Sequence, residues 1–369
     1  MVNKLIISNV LYRPIRTALS ALAVAIEVAM VMLFVGLANG MIHDSARRVE
    51  GVGADVLVQP SGASFLLAFS QAPMPIKIGD KLKEIPHVLA VAPALVQFNT
   101  VGGLDMIYGI DMDSFDRVSG GFVYHDVIAG GPFQDPYDIL VDDWYAKAKH
   151  VKVGQTIFLL NHDFHVTGIV EHGKGARLFV SMSTLEDLLS VKDKASIFFV
   201  KCTDPGYTNE VSEAIHQLLP KYLITPVKEY MSMMTSSNLP GLEAITTVII
   251  SIAVAIGFLV IFLAMYTTII ERTREIGILK SLGASKGYII AVILREAGLL
   301  SAVGILAGYG IAAIGRRIMV GKFPTLPIEL TAQWAVYAAF LALAGSLLGA
   351  LYPAWRAAQL DPVDALAYE

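Results

Sequence analysis

The sequence predicts an α-helical membrane protein with four transmembrane helices and a mixed α/β extracytoplasmic domain inserted between spans one and two. Four apolar runs, Thr17–Gly40, Leu242–Ile270, Ile289–Gly315 and Trp334–Tyr352, match the roughly 20 residues needed to cross about 30 Å of hydrocarbon. A more polar stretch of about 200 residues separates the first two runs, within the size of one folded domain. Charged residues make up only 16% of the 369 and hydrophobic ones 55%, against about 25% charged in an ordinary soluble domain. The mean hydropathy is +0.60.

Along the chain, Lys4, Arg13 and Arg16 give a positive start. The apolar run after Arg16 is about 24 residues, longer than the roughly 7–15 of a cleaved signal's apolar region. It reads as a retained first span, 17–40. Residues 1–16 read as a cytoplasmic amphipathic helix, with Leu5, Ile6, Val10 and Tyr12 set against Asn3, Lys4 and Asn9, a pattern suited to the membrane surface. Beyond Gly40, Ile42, Ala46 and Val49 recur at helical spacing through Met41–Glu50, so the helix continues as a stalk. The returning stalk is Lys228–Asn238, interrupted by Pro240-Gly241.

Residues 41–240 make up the extracytoplasmic domain with its stalk segments. Strands are expected at Asp55–Gln59, His87–Ala92, Leu178–Val180 and Ile197–Cys202. Gln155–Leu160 and Phe164–Val170 flank Asn161-His162-Asp163, the pattern of a hairpin with a three-residue turn. Helices are expected at Ser183–Ser190, with Ser183 and Glu186 as a capping box, and at Asn209–Leu219, stopped by Pro220. The loop Pro60–Pro75 carries Phe65-Leu66-Leu67 and Phe69, either core packing or a contact surface.

Span two, 241–270, a connector at 271–286, span three, 287–315, a short outer loop at 316–333, span four, 334–352, and a tail at 353–369 complete the order. Four spans put both termini on one side. Lys4, Arg13, Arg16, Arg272, Arg274, Lys280, Lys286 and Arg356 lie on that side, and Arg47, Arg48, Lys228, Arg316, Arg317 and Lys322 on the other. The bias is mild and puts the termini in the cytoplasm, with Asp105 and His162 outside and Lys280 and Glu369 inside.

Several chemistries are excluded. A net charge of −4 without a basic, aromatic-interleaved stripe gives no reason to invoke nucleic acid. No phosphate-binding G-x-x-x-x-G-K-[ST] occurs; Gly315 to Lys322-Phe323 has the wrong spacing and ends in Phe. Gly308-Tyr309-Gly310 lies inside a span and is no dinucleotide loop. Neither G-x-S-x-G nor H-E-x-x-H is present, so no catalytic residue, bound cofactor or metal is expected. The single cysteine, Cys202, permits no internal disulfide and reads as a small packing residue. His162, His165 and His172 cluster locally, but alternation puts His165 opposite Phe164 and Val166, on a solvated face.

Within the spans, Glu27 sits near the middle of the first, where an ionisable side chain is costly. It is either functional, holding spans or subunits together, or a packing residue. Gly304 with Gly308, and Gly345 with Gly349, are G-x-x-x-G pairs that let helices approach closely. In the connector, Ile276, Leu279, Leu282 and Gly283 line one side of a short helix, with Arg274 and Lys280 elsewhere. Gly283 offers a left-handed stop and Ser285 a cap for the next helix.

The stretch Arg274-Glu275-Ile276-Gly277-Ile278-Leu279-Lys280-Ser281-Leu282-Gly283-Ala284-Ser285 resembles the hallmark segment of FtsX/MacB-type ABC transporter permeases, also called type VII or mechanotransmission transporters. So does the tail, Tyr352-Pro353-Ala354-Trp355-Arg356-Ala357-Ala358 with Asp361-Pro362-Val363-Asp364-Ala365-Leu366. The resemblance is strong over the last third and looser over the outer domain. It implies a dimer, with a second copy or a homologous permease subunit, seated on cytoplasmic ABC ATPase subunits that hold the ATP and Mg. Arg274–Leu282 would then be the coupling helix in the ATPase cleft, burying Ile276 and Leu279, with Glu275 and Arg274 pairing at the rim. It further implies the bacterial inner membrane, contact with membrane lipid, and in some members a periplasmic adaptor. Members export or release a lipid, lipoprotein, peptide or small hydrophobic compound. The alternative within the family is a regulator of an extracytoplasmic enzyme, such as a cell-wall hydrolase, without transport. A membrane-embedded hydrolase would need a nucleophile and a base at depth, where the first span offers Glu27 alone.

Overall fold

The computed structural model describes residues 14–63, 74–99, 105–234 and 240–361. The expected amphipathic helix Val2–Tyr12, the apolar loop residues Phe65–Phe69, and the tail beyond Asp361 lie outside these.

Helix α1, Pro14–Gly51, runs unbroken through the first apolar run and the expected stalk. No Gly–Pro pair or polar cluster interrupts its register, so the helix has no reason to stop at Gly40. The inserted domain follows in this order: β1 Val56–Pro60, β2 Met74–Pro75, α2 Ile78–Lys83, β3 Val88–Asn99, β4 Asp105–Ile110, α3 Met112–Ser119, a π-turn at Phe122–Asp126, β5 Val127–Gly130, β6 Asp138–Asp142, α4 Asp143–Lys149, β7 Thr156–Leu159, β8 His162–Val170, β9 Leu178–Ser181, α5 Met182–Leu189, β10 Lys194–Ala195, β11 Ile197–Cys202, α6 Thr208–Leu218, β12 Tyr222–Pro226 and α7 Val227–Met233. The remaining helices are α8 Pro240–Glu271, α9 Thr273–Ser281, α10 Lys286–Lys322 and α11 Ala332–Gln359. Among the described residues, four helices are long and apolar enough to cross a membrane: α1, α8, α10 and α11.

The chain divides into two compact units. One comprises Met1–Asn39, Pro240–Gly321 and Ile328–Glu369; the other comprises Gly40–Leu239 with Lys322–Pro327.

The second unit is built on one sheet of order β12-β1-β11-β3-β4-β9-β6-β8-β5, with β7 on β8. Its pairings are antiparallel except β4 with β9 and β6 with β8. Both faces are covered, which explains why β1 and the first four residues of β11 are buried without alternation. Phe198 points into the core with Val56, Val91, Leu95 and Val200. Phe199 faces the other way, into an aromatic cluster in which Phe115 and Phe122 meet edge-on at 5.1 Å, with Phe179 and Tyr108 beside them.

Several sequence expectations need adjustment here. The β7–β8 turn is two residues rather than three, because Leu160 and Asn161 both adopt positive φ (50° and 64°). That is the primed hairpin turn, and it frees His162 to pair with Leu159. The capping box at Ser183 and Glu186 does not form. The helix starts one residue earlier, and the Glu186 carboxylate accepts from the Lys194 amide instead. Strands β2, β4, β5, β6, β10 and β12 and helices α2, α3 and α4 are additions to the expected set. They are short, too short for a periodic pattern to stand out. The final apolar run ends at Tyr352, yet α11 continues through Pro353 to Gln359, with Ala354 and Ala357 fully buried. A proline removes one helical hydrogen bond, and packing of the small residues after it offsets that loss.

Candidate functional site

The connector after α8 is where the sequence places its most specific motif, and the structure anchors it at both ends. At Arg272 the chain leaves α8 and starts α9. The Arg272 guanidinium spans Glu275 of α9, with Nε donating at 2.9 Å, and Glu296 of α10, with Nη1 donating at 3.3 Å. Glu296 is 8% exposed, so it needs this partner. At the other end Gly283 takes φ +92°, and the Gly283 and Ala284 amides donate to the carbonyls of Lys280 and Leu279, a left-handed helix stop. Ser285 Oγ then accepts from the Tyr288 amide and caps α10. Lys280 reaches across to the end of α11, where Nζ donates to the Ala358 carbonyl at 3.0 Å and to that of Leu360. A cation there also meets the negative end of the helix dipole.

These two anchors decide which face of α9 points outward. Ile276 and Gly277 are buried, and Leu279 packs partly into the bundle core. Of the apolar residues expected to face a partner, Ile276 is thus turned into the chain's own core and Leu279 is half-buried, while Leu282 is exposed. The outward apolar pair is Ile278 and Leu282, 45% and 80% exposed and one helical turn apart. Arg274, Glu275, Ser281 and Gly283 are exposed around them. Beside the helix, a cavity of about 300 Å³ lies between α8, α9 and the start of α10, walled by Met265, Ile269, Ile276, Leu279, Ile289 and Ile293 with Arg272, Glu275 and Glu296, and edged by Ile278, which it shares with the outward face of α9.

The small residues singled out in the spans all work inside this chain. A methyl at Gly304 would stand 2.6 Å from Val24 Cβ, and one at Gly308 2.7 Å from Val28 Cβ, so α10 packs backbone-close on α1. A methyl at Gly349 would stand 2.8 Å from the Phe258 carbonyl oxygen, so α11 packs backbone-close on α8 there, whereas one at Gly345 would make an ordinary 3.7 Å contact with Val254. Glu27 is 5% exposed and lies against Gly257 of α8, where its carboxylate fills the space a side chain would take. Its Oε1 has no hydrogen-bond partner among the described residues.

In the second unit, the residue that sequence reading passed over is Arg177. Its guanidinium donates to the Thr325 carbonyl at 2.9 Å, stands 3.6 Å from Asp44 and lies over the Trp144 ring at 5.8 Å. Burial lowers its pKa, while Asp142, Asp44 and Asp105 hold it charged. Asp142 caps α4 through the Tyr145 amide, and burial pushes its carboxyl up to about 6 against the opposing pull of Arg177. The signal available in sequence was a basic residue inside Lys174-Gly-Ala-Arg177-Leu-Phe-Val180, directly before a buried strand. Likewise Arg295-Glu296 interrupts an apolar run. The three clustered histidines keep separate company: His162 stacks on Tyr137, His165 lies near Asp138, and His172 bonds Asp143 and stacks on Trp144.

Comparison with known proteins finds two family matches along the chain. The MacB-like periplasmic core domain family matches residues 17–218, and the FtsX-like permease C-terminal family matches residues 247–362. The chain is 26% identical over 398 aligned positions to the macrolide export ATP-binding/permease protein MacB of Nitrobacter winogradskyi, covering 96% of this chain and 58% of that protein. It is 25% identical to the MacB of Chlorobium phaeobacteroides, covering 98% and 60%. The chain thus spans about three fifths of the length of the curated relatives it matches. The crystallised periplasmic region of MacB from Actinobacillus actinomycetemcomitans aligns with 49% of this chain and 92% of its own, at 18% identity and a TM-score of 0.38.

Proposed function

This chain belongs to the family of FtsX-like permeases that carry a MacB-like periplasmic core domain, and we propose that it is the membrane-spanning part of an ABC exporter driven by a cytoplasmic ATPase. ATP and Mg bind that ATPase. The permease works as a pair with a second copy or a homologous subunit, in the bacterial inner membrane. Relatives named for macrolide export support a small hydrophobic compound as the cargo class. The observation that carries the reading is α9, a short helix between two spans that is tied down at both ends and presents Ile278 and Leu282 outward.

Those ties matter mechanically. A push on a helix held only by its backbone would be lost in bending of the connector. A push on α9 passes through Arg272–Glu296 into α10 and through Lys280 into the end of α11. The first helix is unbroken from Pro14 to Gly51, about 57 Å at 1.5 Å per residue. Cargo is moved by the outer domains rather than threaded between spans.

The test is co-purification. Leu282→Asp and Ile278→Asp place a charge in the proposed contact, at a cost on the order of several kcal/mol if it is buried there. The ATPase that co-purifies with the wild-type chain should drop at least tenfold, with membrane insertion unchanged and Lys192→Ala in the outer domain as control. Full retention of the ATPase by both variants would reduce α9 to a connector.

A further inference from the structure

We propose that the cavity beside α9 is a binding site for one inner-leaflet aminophospholipid, with an acyl chain inside and a phosphoethanolamine headgroup at the mouth. The cavity's depth points to lipid. Its walls come from the last turns of α8 (Met265, Ile269) and the first turns of α10 (Ile289, Ile293), so it opens at the ends of these two apolar helices that the connector joins. Tyr288, Tyr352 and Trp355, 40–51% exposed, sit at the start of α10 and near the end of α11, positions suited to the aromatic belt of a membrane surface. The interior is apolar, and a close-packed protein does not leave 300 Å³ empty. Lipid chains are the apolar material present at that depth.

The mouth selects the headgroup. The charged groups lining the cavity are Arg272, Glu275 and Glu296, one carboxylate in excess of the guanidinium, so an anionic headgroup is disfavoured. Glu275 keeps 65% of its side chain exposed while bonded to Arg272 and can accept from an ammonium. Arg272 spends Nε and Nη1 on the two carboxylates, leaving Nη2 for the phosphate, which a planar guanidinium can serve alongside its other bonds. A lipid held this way touches α8, α9 and α10 at once and stiffens the joint on which the proposed coupling depends. The binding itself needs no ATPase, so its failure and the failure of the coupling reading are separable.

The experiment uses the full chain in nanodiscs of equal phosphatidylethanolamine and phosphatidylglycerol, transferred to detergent and examined by native mass spectrometry. Wild type should retain one phosphatidylethanolamine in at least threefold preference to phosphatidylglycerol. Ile293→Trp, which fills the cavity, should lose it. Because Ile293→Trp could disturb the bundle, Glu275→Lys at the exposed mouth is the second arm; it should reverse the preference toward phosphatidylglycerol. Retention of no lipid by wild type, retention of detergent alone, or an unchanged preference in Glu275→Lys would overturn the proposal.

Discussion

Arg177 shows how one side chain can organise a region. It joins α1 through Asp44, the 322–327 segment through Thr325 and the α4 start through Asp142 and Trp144. Removing one member of a buried ion network leaves the others uncompensated, so Arg177→Met should destabilise the outer unit by about 3–5 kcal/mol near neutral pH. The pH dependence follows from Asp142. Its folded pKa, about 6, lies above the unfolded value near 3.9. Its contribution to stability is therefore fully present below about 4 and is lost as pH rises through 6. Without Arg177 the pKa rises further, so the deficit of Arg177→Met should shrink as pH falls from 7.5 to 5. Cys202 supplies the measurement, because it is the chain's single cysteine, 1% exposed, with a thiol pKa raised chiefly by burial. Its labelling by a thiol-reactive fluorophore reports opening of this unit. An equal deficit at both pH values would remove Asp142 from the account.

Among the elements, the helix contacts make two predictions. Gly308→Leu puts a branched side chain where even a methyl would stand 2.8 Å from the Ala25 carbonyl, while Gly310 has open space around it. Overpacking of this kind costs about 1–3 kcal/mol. Gly308→Leu should lower the melting temperature of the detergent-solubilised protein, whereas Gly310→Leu should leave it unchanged. Equal melting of the two would mean that α1 and α10 are not held by this approach. The second prediction concerns Lys280, which closes the end of α11 through two carbonyls. Lys280→Met should speed hydrogen exchange in Ala354–Gln359 severalfold and leave α8 unaffected. The small residues were visible in the sequence as G-x-x-x-G pairs. Their partners were not, because spacing states that a helix approaches closely and not which helix it approaches.

For the whole molecule, the expected topology places the inserted domain outside. With Cys202→Ser as background, Asp105→Cys and His162→Cys should react with a membrane-impermeant maleimide in intact cells, and Lys280→Cys only after lysis. Labelling of Lys280→Cys in intact cells would invert the orientation. The charge bias behind this expectation is mild, and the experiment therefore carries more weight than the count of Lys and Arg.

Hydrophobic length and the connector motif by themselves determined that this chain carries four helices able to cross a membrane and to which family it belongs. Those properties are local: a span needs only enough consecutive apolar residues, and a helix stop needs only a glycine able to take positive φ, as Gly283 does. The tertiary structure alone decided that Ile278, which the sequence reading did not single out, faces outward beside Leu282, while Ile276 turns into the core. The rotation of α9 is set by Arg272 on Glu296 and Lys280 on the end of α11, partners 24 and 78 residues away. It also turned Glu27 inward, against Gly257, and assembled the Arg177 network from segments as far as 148 residues apart. An amphipathic pattern tells how a helix is divided into faces, but which face meets the core depends on contacts between residues distant in sequence.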